Sequence, residues 1–334
     1  MEPRGATTGE DVSPPRRLGL PLLDRRLAGR DFAWLVLGAP ADWRSLPGQF
    51  VNVLCESDPT SLETADGRVL DWEDGAWPRT TGLELGRARP LVRRPLSVAR
   101  VSWSGEGARL VLLVRVVGPG TRFLGTRPVG STIDLVGPLG NWFVPPADDR
   151  LCVLVGGGCG MAPIFGLADH LAEAGKRCLA VFGAAAREDM PTRFRGKARP
   201  THGHVEITDA VEEFAEDAIP MILATDDGSA GFEGTTTGAL RRWFEDLWDG
   251  RPVALYGCGP GPMLRDLARV ALERGVPCQI SLERWMGCGA GLCLSCVHKR
   301  KDPASDKGWT YRLTCRDGPV VEARELVWDE AAKR

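Results

Sequence analysis

Four cysteines near the carboxyl end constrain this chain more than any other feature. Cys288, Cys293, Cys296 and Cys315 are spaced C-x4-C-x2-C…C, with the first three in one short stretch. Gly287, Gly289 and Gly291 let that stretch curl and turn its amide N–H groups toward sulfur. The spacing is the plant-type one for a [2Fe–2S] cluster, in which four thiolates surround two irons. Structural zinc is the competing reading. Zinc ribbons use paired C-x2-C knuckles, and the x4 gap counts against it. The other six cysteines, Cys55, Cys152, Cys159, Cys178, Cys258 and Cys278, are scattered too unevenly for a disulfide framework. The cluster therefore points to metal or redox chemistry in a reducing compartment.

The rest of the chain must carry that loop. Its 334 residues suffice for two or three domains at ~150 residues each. Residues 1–18 lack apolar periodicity and read as a solvated tail. From Asp31 to about Pro145, short Val- and Leu-rich runs alternate with turn residues: Phe32–Leu37, Gln49–Leu54, Leu96–Trp103, Leu110–Val117 and Thr132–Val136. This pattern, with no convincing helix, predicts an antiparallel β-barrel or sandwich over 19–147. Glu56 to Pro90 is polar and Gly-rich and reads as an insertion. Near Arg150 the pattern changes. Leu151–Val155, Cys178–Phe182, Met221–Ala224 and Val253–Tyr256 are continuous apolar runs, as in strands buried on both faces. Helical stretches at Pro163–Ala174 and Thr237–Trp248 fall between them, and one at Pro262–Arg274 follows the last. This alternation predicts an α/β parallel-sheet domain over 148–278. Residues 279–334, rich in Cys and Gly, read as a small third unit.

Two glycine turns follow buried strands in the second domain. Gly156-Gly157-Gly158-Cys159-Gly160 opens one helix, and Gly257-Cys258-Gly259-Pro260-Gly261 opens another. Such turns let a pyrophosphate approach backbone amides at a helix N-terminus, and two on one sheet suggest a nucleotide across its carboxyl edge. In the barrel, the Arg94 guanidinium in Arg94-Pro95-Leu96-Ser97 suits a diphosphate, and Ser97 suits a flavin edge. Gly120 and Thr121 offer donors to phosphate. A nicotinamide passes two electrons as hydride, whereas a [2Fe–2S] cluster takes one, so a flavin is the expected intermediary.

Together these residues resemble a known family. Arg94-Pro95-Leu96-Ser97, Gly120-Thr121 and Gly137-Pro138-Leu139-Gly140-Asn141 resemble the FAD barrel of the ferredoxin–NADP reductase superfamily. Gly156-Gly157-Gly158 and Cys258-Gly259-Pro260 resemble its nucleotide domain. Ser281 to Cys296, with Thr314-Cys315-Arg-Asp-Gly-Pro319, is similar to the electron-transfer subunits of NAD-dependent dihydroorotate dehydrogenase, as is Thr225-Asp226-Asp227-Gly228-Ser229. The likeness runs from about Leu35 to Val321. It implies FAD held by Arg94, Pro95, Leu96, Ser97, Leu113, Val114, Arg115, Gly120 and Thr121. It implies NAD(H) at Gly157, Gly158, Cys258 and Gly259, and a cluster on Cys288, Cys293, Cys296 and Cys315. The implied work is electron transfer with an FMN-containing catalytic subunit that oxidises dihydroorotate to orotate in pyrimidine biosynthesis, in a heterotetramer.

No residue set suggests a general base, so this chain holds cofactors rather than performing acid–base catalysis. Related subunits of sulfide dehydrogenase or NADPH–ferredoxin oxidoreductase complexes, and a zinc-stabilised interaction module, are the alternatives. Glu188 and Asp189 suit the ribose hydroxyls of NAD, and Arg187 suits a 2′-phosphate; the acidic pair favours NAD. Lys and Arg number 42 against 44 Asp and Glu, a net charge of −2, which disfavours general affinity for nucleic acid or anionic membrane. No apolar run nears the ~18 residues of a membrane span, and no signal-peptide core precedes Arg30, so a cytoplasmic location is expected.

Overall fold

The computed structural model describes residues 12–55, 93–104, 107–194, 199–201, 203–214 and 219–328. The insertion expected from Glu56 to Pro90 lies outside the described residues, as does the first part of the expected tail. Arg16 to Leu18, assigned by the sequence to that tail, instead begin the first strand.

Six strands close a barrel in the order β1-β2-β5-β4-β3-β6, every pairing antiparallel. They are β1 (Arg16–Ala28), β2 (Phe32–Ala39), β3 (Phe50–Val53), β4 (Arg94–Ser104), β5 (Gly107–Arg115) and β6 (Thr132–Leu139). Period-2 alternation sends Leu35, Leu37, Val51, Val53, Leu110, Leu112 and Leu135 inward, where all are fully buried. A short helix, α1 (Pro119–Thr126), plugs one end with Leu124. The sequence predicted no helix here. Eight residues with two glycines are too few to show a 3.6-residue period.

The second domain is a sheet in the order β10-β9-β8-β7-β11-β12-β15. Strands β7 (Leu151–Gly157), β8 (Cys178–Ala184), β9 (Met221–Thr225), β10 (Phe232–Glu233), β11 (Val253–Cys258) and β12 (Cys278–Ser281) run parallel. Strand β15 (Val320–Glu322) closes the edge antiparallel. Helix α2 (Met161–Glu173) covers one face; α3 (Thr236–Asp246) and α4 (Gly261–Arg274) cover the other. The chain leaves β7 toward β8 and later returns to its other side as β11. That reversal makes a topological switch point between β7 and β11, where sheets of this kind bind ligands at their carboxyl ends.

The third unit is less separate than its composition suggests. A boundary at 278/279 cuts β12, which with β15 belongs to the large sheet. Only the loop after β12, the hairpin β13 (Val297–Lys301) and β14 (Trp309–Leu313), and the turn α5 (Thr314–Asp317) stand apart. Trp34 of β2 meets Phe165 of α2 edge-on at 5.5 Å and donates through Nε1 to the Pro191 carbonyl at 2.8 Å, joining barrel and sheet. Among the described residues, no helix is long and apolar enough to cross a membrane.

Candidate functional site

The cysteine loop lies between β12 and β13 and is shaped by its own amides. The N–H groups of Ala290, Leu292 and Cys293 point at Cys288 Sγ from 3.3, 3.3 and 3.4 Å. The Cys315 amide points at Cys296 Sγ from 3.4 Å. The thiols thus fall into two neighbouring pairs, Cys288 with Cys293 and Cys296 with Cys315. Two pairs suit two irons, and converging N–H donors stabilise the negative charge of metal-bound sulfur. Among the described residues, no three Cys, His, Asp or Glu side chains converge as they do on a single ion. Cys293 is exposed, and the Ser295 hydroxyl beside it draws its thiol down to about 6. Burial pushes the Cys315 thiol up to about 12. None of the ten cysteines is in a disulfide.

The loop rests on the barrel. Phe50 of β3 packs with Cys296, Leu313 and Cys315. Two residues along the strand, the Asn52 amide donates to the Cys288 carbonyl at 2.9 Å. Asn141, expected within a flavin-barrel motif, clamps β15 instead. Its side chain exchanges two hydrogen bonds of 2.8 Å with the Val320 backbone.

The proposed flavin residues gather at one end of the barrel. Arg94, Pro95, Leu96 and Ser97 begin β4, pair with Val53, Asn52, Val51 and Phe50 of β3, and are half-buried. Antiparallel pairing places them beside the end of β5, where Arg115 is exposed. Leu113 is buried against α2's core, and Val114 fills the barrel. With their side chains packed in these cores, a flavin lined by Leu113 and Val114 would meet their backbone. Thr121 uses its hydroxyl within its own turn. Its hydroxyl accepts the Val117 and Gly118 amides at 3.0 and 3.1 Å and donates to the Gly118 carbonyl. It shapes the start of α1, leaving the backbone amides there to face a phosphate.

The two glycine turns end β7 and β11, on either side of the switch point, and press against each other. A Cβ on Gly160 would sit 2.2 Å from the Cys258 carbonyl oxygen. Protein packing alone therefore demands glycine there. Burial pushes Cys159 up to about 11 and Cys258 to about 12, so both stay neutral thiols at physiological pH. Cys55, Cys152, Cys178 and Cys278 are buried in the core, with Cys152 and Cys178 side by side on β7 and β8.

Beyond the ends of β8 and β9 opens a cavity of about 570 Å³ lined by Arg187, Met190, Phe194, Asp227 and Ser229, among others. The Arg187 guanidinium lies 4.9 Å over the Phe194 ring. Asp227 accepts from the Ser229 amide and hydroxyl at 2.9 and 2.6 Å, which lowers its pKa and keeps it ionised. Glu188 and Asp189, expected to meet a ribose, are instead paired with Arg30 from the barrel. Glu188 and Asp227 both line the cavity, Glu188 engaged with Arg30 and Asp227 held by its own turn. Three residues of the basic stretch 298–301 are engaged: His298 is buried on Thr314, Lys299 covers Trp309, and Arg300 pairs with Glu325.

A flavin-type barrel, a switch-point sheet and a cysteine loop between them define a ferredoxin-reductase-like oxidoreductase with an iron–sulfur domain. Residues 283–327 match the iron–sulfur cluster binding domain of dihydroorotate dehydrogenase B. The electron-transfer subunit of dihydroorotate dehydrogenase B (NAD(+)) from Desulforamulus reducens is 32% identical over 287 residues, covering 85% of this chain and 88% of the relative. The subunit from Geobacillus kaustophilus is 37% identical over 246 residues, covering 72% and 82%. The chain belongs to this family of electron-transfer subunits. A solved structure of NADH-dependent reduced ferredoxin–NADP oxidoreductase overlays with a TM-score of 0.67 at 26% identity, covering 98% of this chain and 94% of its own. Iron–sulfur domain and reductase fold together support FAD, a [2Fe–2S] cluster and NAD(H) as the cofactors.

Proposed function

We propose that the chain moves electrons between NAD(H) and the FMN of a separate catalytic subunit that oxidises dihydroorotate to orotate, in a cytoplasmic heterotetramer. One observation carries the reading: two thiol pairs in an amide-lined loop rest on β3, the strand that pairs with the proposed flavin residues. Bound FAD accepts an electron pair as hydride and releases electrons singly, and a [2Fe–2S] cluster carries one at a time.

The chain's own residues orient these groups. Arg94 neutralises the FAD diphosphate together with amides at Gly120 and Thr121, and Ser97 meets the ring edge. Pro95, Leu96 and the backbone of Leu113, Val114 and Arg115 form the floor. Gly157, Gly158, Cys258 and Gly259 hold the nicotinamide half at the switch point, and the neutral Cys258 thiol offers packing there rather than a nucleophile. The cavity beside Asp227 takes the adenosine end. A carboxylate accepts the two hydroxyls of an unmodified ribose and repels a 2′-phosphate, which favours NAD(H) over NADP(H). Cys293, the exposed thiol of the four, would sit on the side of the cluster open to a partner. Trp285, Leu292 and Leu294 lie in the same loop, 94%, 82% and 62% exposed, an apolar face suited to the catalytic partner.

Mixing the chain with the FMN-containing catalytic subunit under anaerobic conditions tests the reading. Dihydroorotate-dependent NAD+ reduction is expected from the mixture and from neither protein alone, with NADP+ a far poorer acceptor. NADH reduction of this chain's flavin without any coupling to that subunit would contradict the partner assignment.

A further inference from the structure

Strand β3 has two faces with different duties. Val51 and Val53 fill the barrel, while Phe50 and Asn52 point to the cysteine loop. Asn52 is 3% exposed. Its Nδ2 donates to the carbonyl of Cys288, and its Oδ1 is buried without a hydrogen-bond partner. The amide cannot be turned over, because that would set Oδ1 against the Cys288 carbonyl oxygen. The loop is cut to receive it: a Cβ on Gly289 would lie 1.9 Å from Asn52 Nδ2, and Gly289 has φ +67°. On the barrel side, Asn52 pairs across the ladder with Pro95, inside the proposed flavin segment. One side chain thus joins the backbone of a proposed cluster ligand to the strand beside the flavin.

A buried amide with an orphaned oxygen destabilises the fold relative to an apolar residue of similar shape. Holding the barrel and loop together does not rest on it alone, since Phe50 already packs against Cys296, Leu313 and Cys315. We propose that Asn52 is a positioning residue for electron transfer: its carboxamide fixes the Cys288 end of the cluster loop against the flavin-bearing strand. Tunnelling falls exponentially with separation, so a small slip of this loop changes the rate while leaving each centre intact. The idea rests on the cofactor reading above, but concerns only how the two centres are spaced.

The test uses the full chain loaded with FAD and cluster, in the variants Asn52→Leu and Asn52→Ser. Iron, acid-labile sulfide and FAD contents are measured first, then the cluster's EPR spectrum. Anaerobic stopped-flow then follows flavin reduction by NADH separately from cluster reduction. In either variant that keeps its cluster, flavin reduction is expected at the wild-type rate, cluster reduction about tenfold slower or more, and the EPR spectrum altered. Cluster reduction at the wild-type rate with an unaltered spectrum overturns the proposal. Loss of the cluster from both variants with FAD retained also overturns it, in favour of a purely structural role. A wild-type chain without FAD or iron would instead defeat the cofactor reading.

Discussion

Cys315→Ala abolishes electron delivery to the catalytic partner while leaving the reaction of NADH with the flavin intact. Cys315 is buried at the start of α5, packs with Phe50 and Cys296, and directs its amide at Cys296 Sγ. Alanine offers no ligand, and one iron of the proposed cluster loses a thiolate that nothing nearby replaces. The proposed FAD and nicotinamide residues belong to β4, β5, α1 and the two glycine turns, none of which contains Cys315. Purified variant is expected to keep FAD, lose iron and acid-labile sulfide, and reduce its flavin with NADH at the wild-type rate. Partner reduction should fall to the background seen without this chain. Undiminished partner reduction by an iron-free variant would show that electrons bypass the loop.

The opposite half of the relay fails in Gly160→Ala. The new methyl group meets the Cys258 carbonyl oxygen at 2.2 Å, and backbone cannot escape by changing rotamer. Either the turn after β7 or the turn after β11 must shift, at a cost of about 1–3 kcal/mol in stability by analogy with overpacked cores. Both turns flank the switch point, so the expected outcome is loss of flavin reduction by NADH. Iron, sulfide and FAD contents should stay near wild type, and dithionite should still reduce both centres. Thermal unfolding and anaerobic NADH titration measure the two effects. A variant reduced normally by NADH would show that the apposed turns do not form the nicotinamide site.

What the sequence revealed depended on how local each signal was. Strands β2 to β6 were legible because they are short Val- and Leu-rich runs set off by turn residues. Strand β1 was not: Leu20 and Leu22 point inward, but a register shift between Leu22 and Asp24 breaks the alternation amid arginines. The cysteine spacing showed the ligands directly. It could not show Asn52 or Asn141, whose partners lie 236 and 179 residues away. Composition separated the C-terminal unit from the sheet, yet backbone pairing puts β12 and β15 within it, because hydrogen bonding along an edge leaves little trace in composition. Glu188 and Asp189 looked suited to a ribose until the fold brought Arg30 against them.

The central claim is that Cys288, Cys293, Cys296 and Cys315 hold two bridged irons. Metal and acid-labile sulfide analysis of the chain purified without air, read beside its visible spectrum, tests this most directly. Two irons and two sulfides per chain are predicted, with a flavin-plus-cluster absorption that NADH bleaches. A colourless protein containing zinc and no labile sulfide would contradict it.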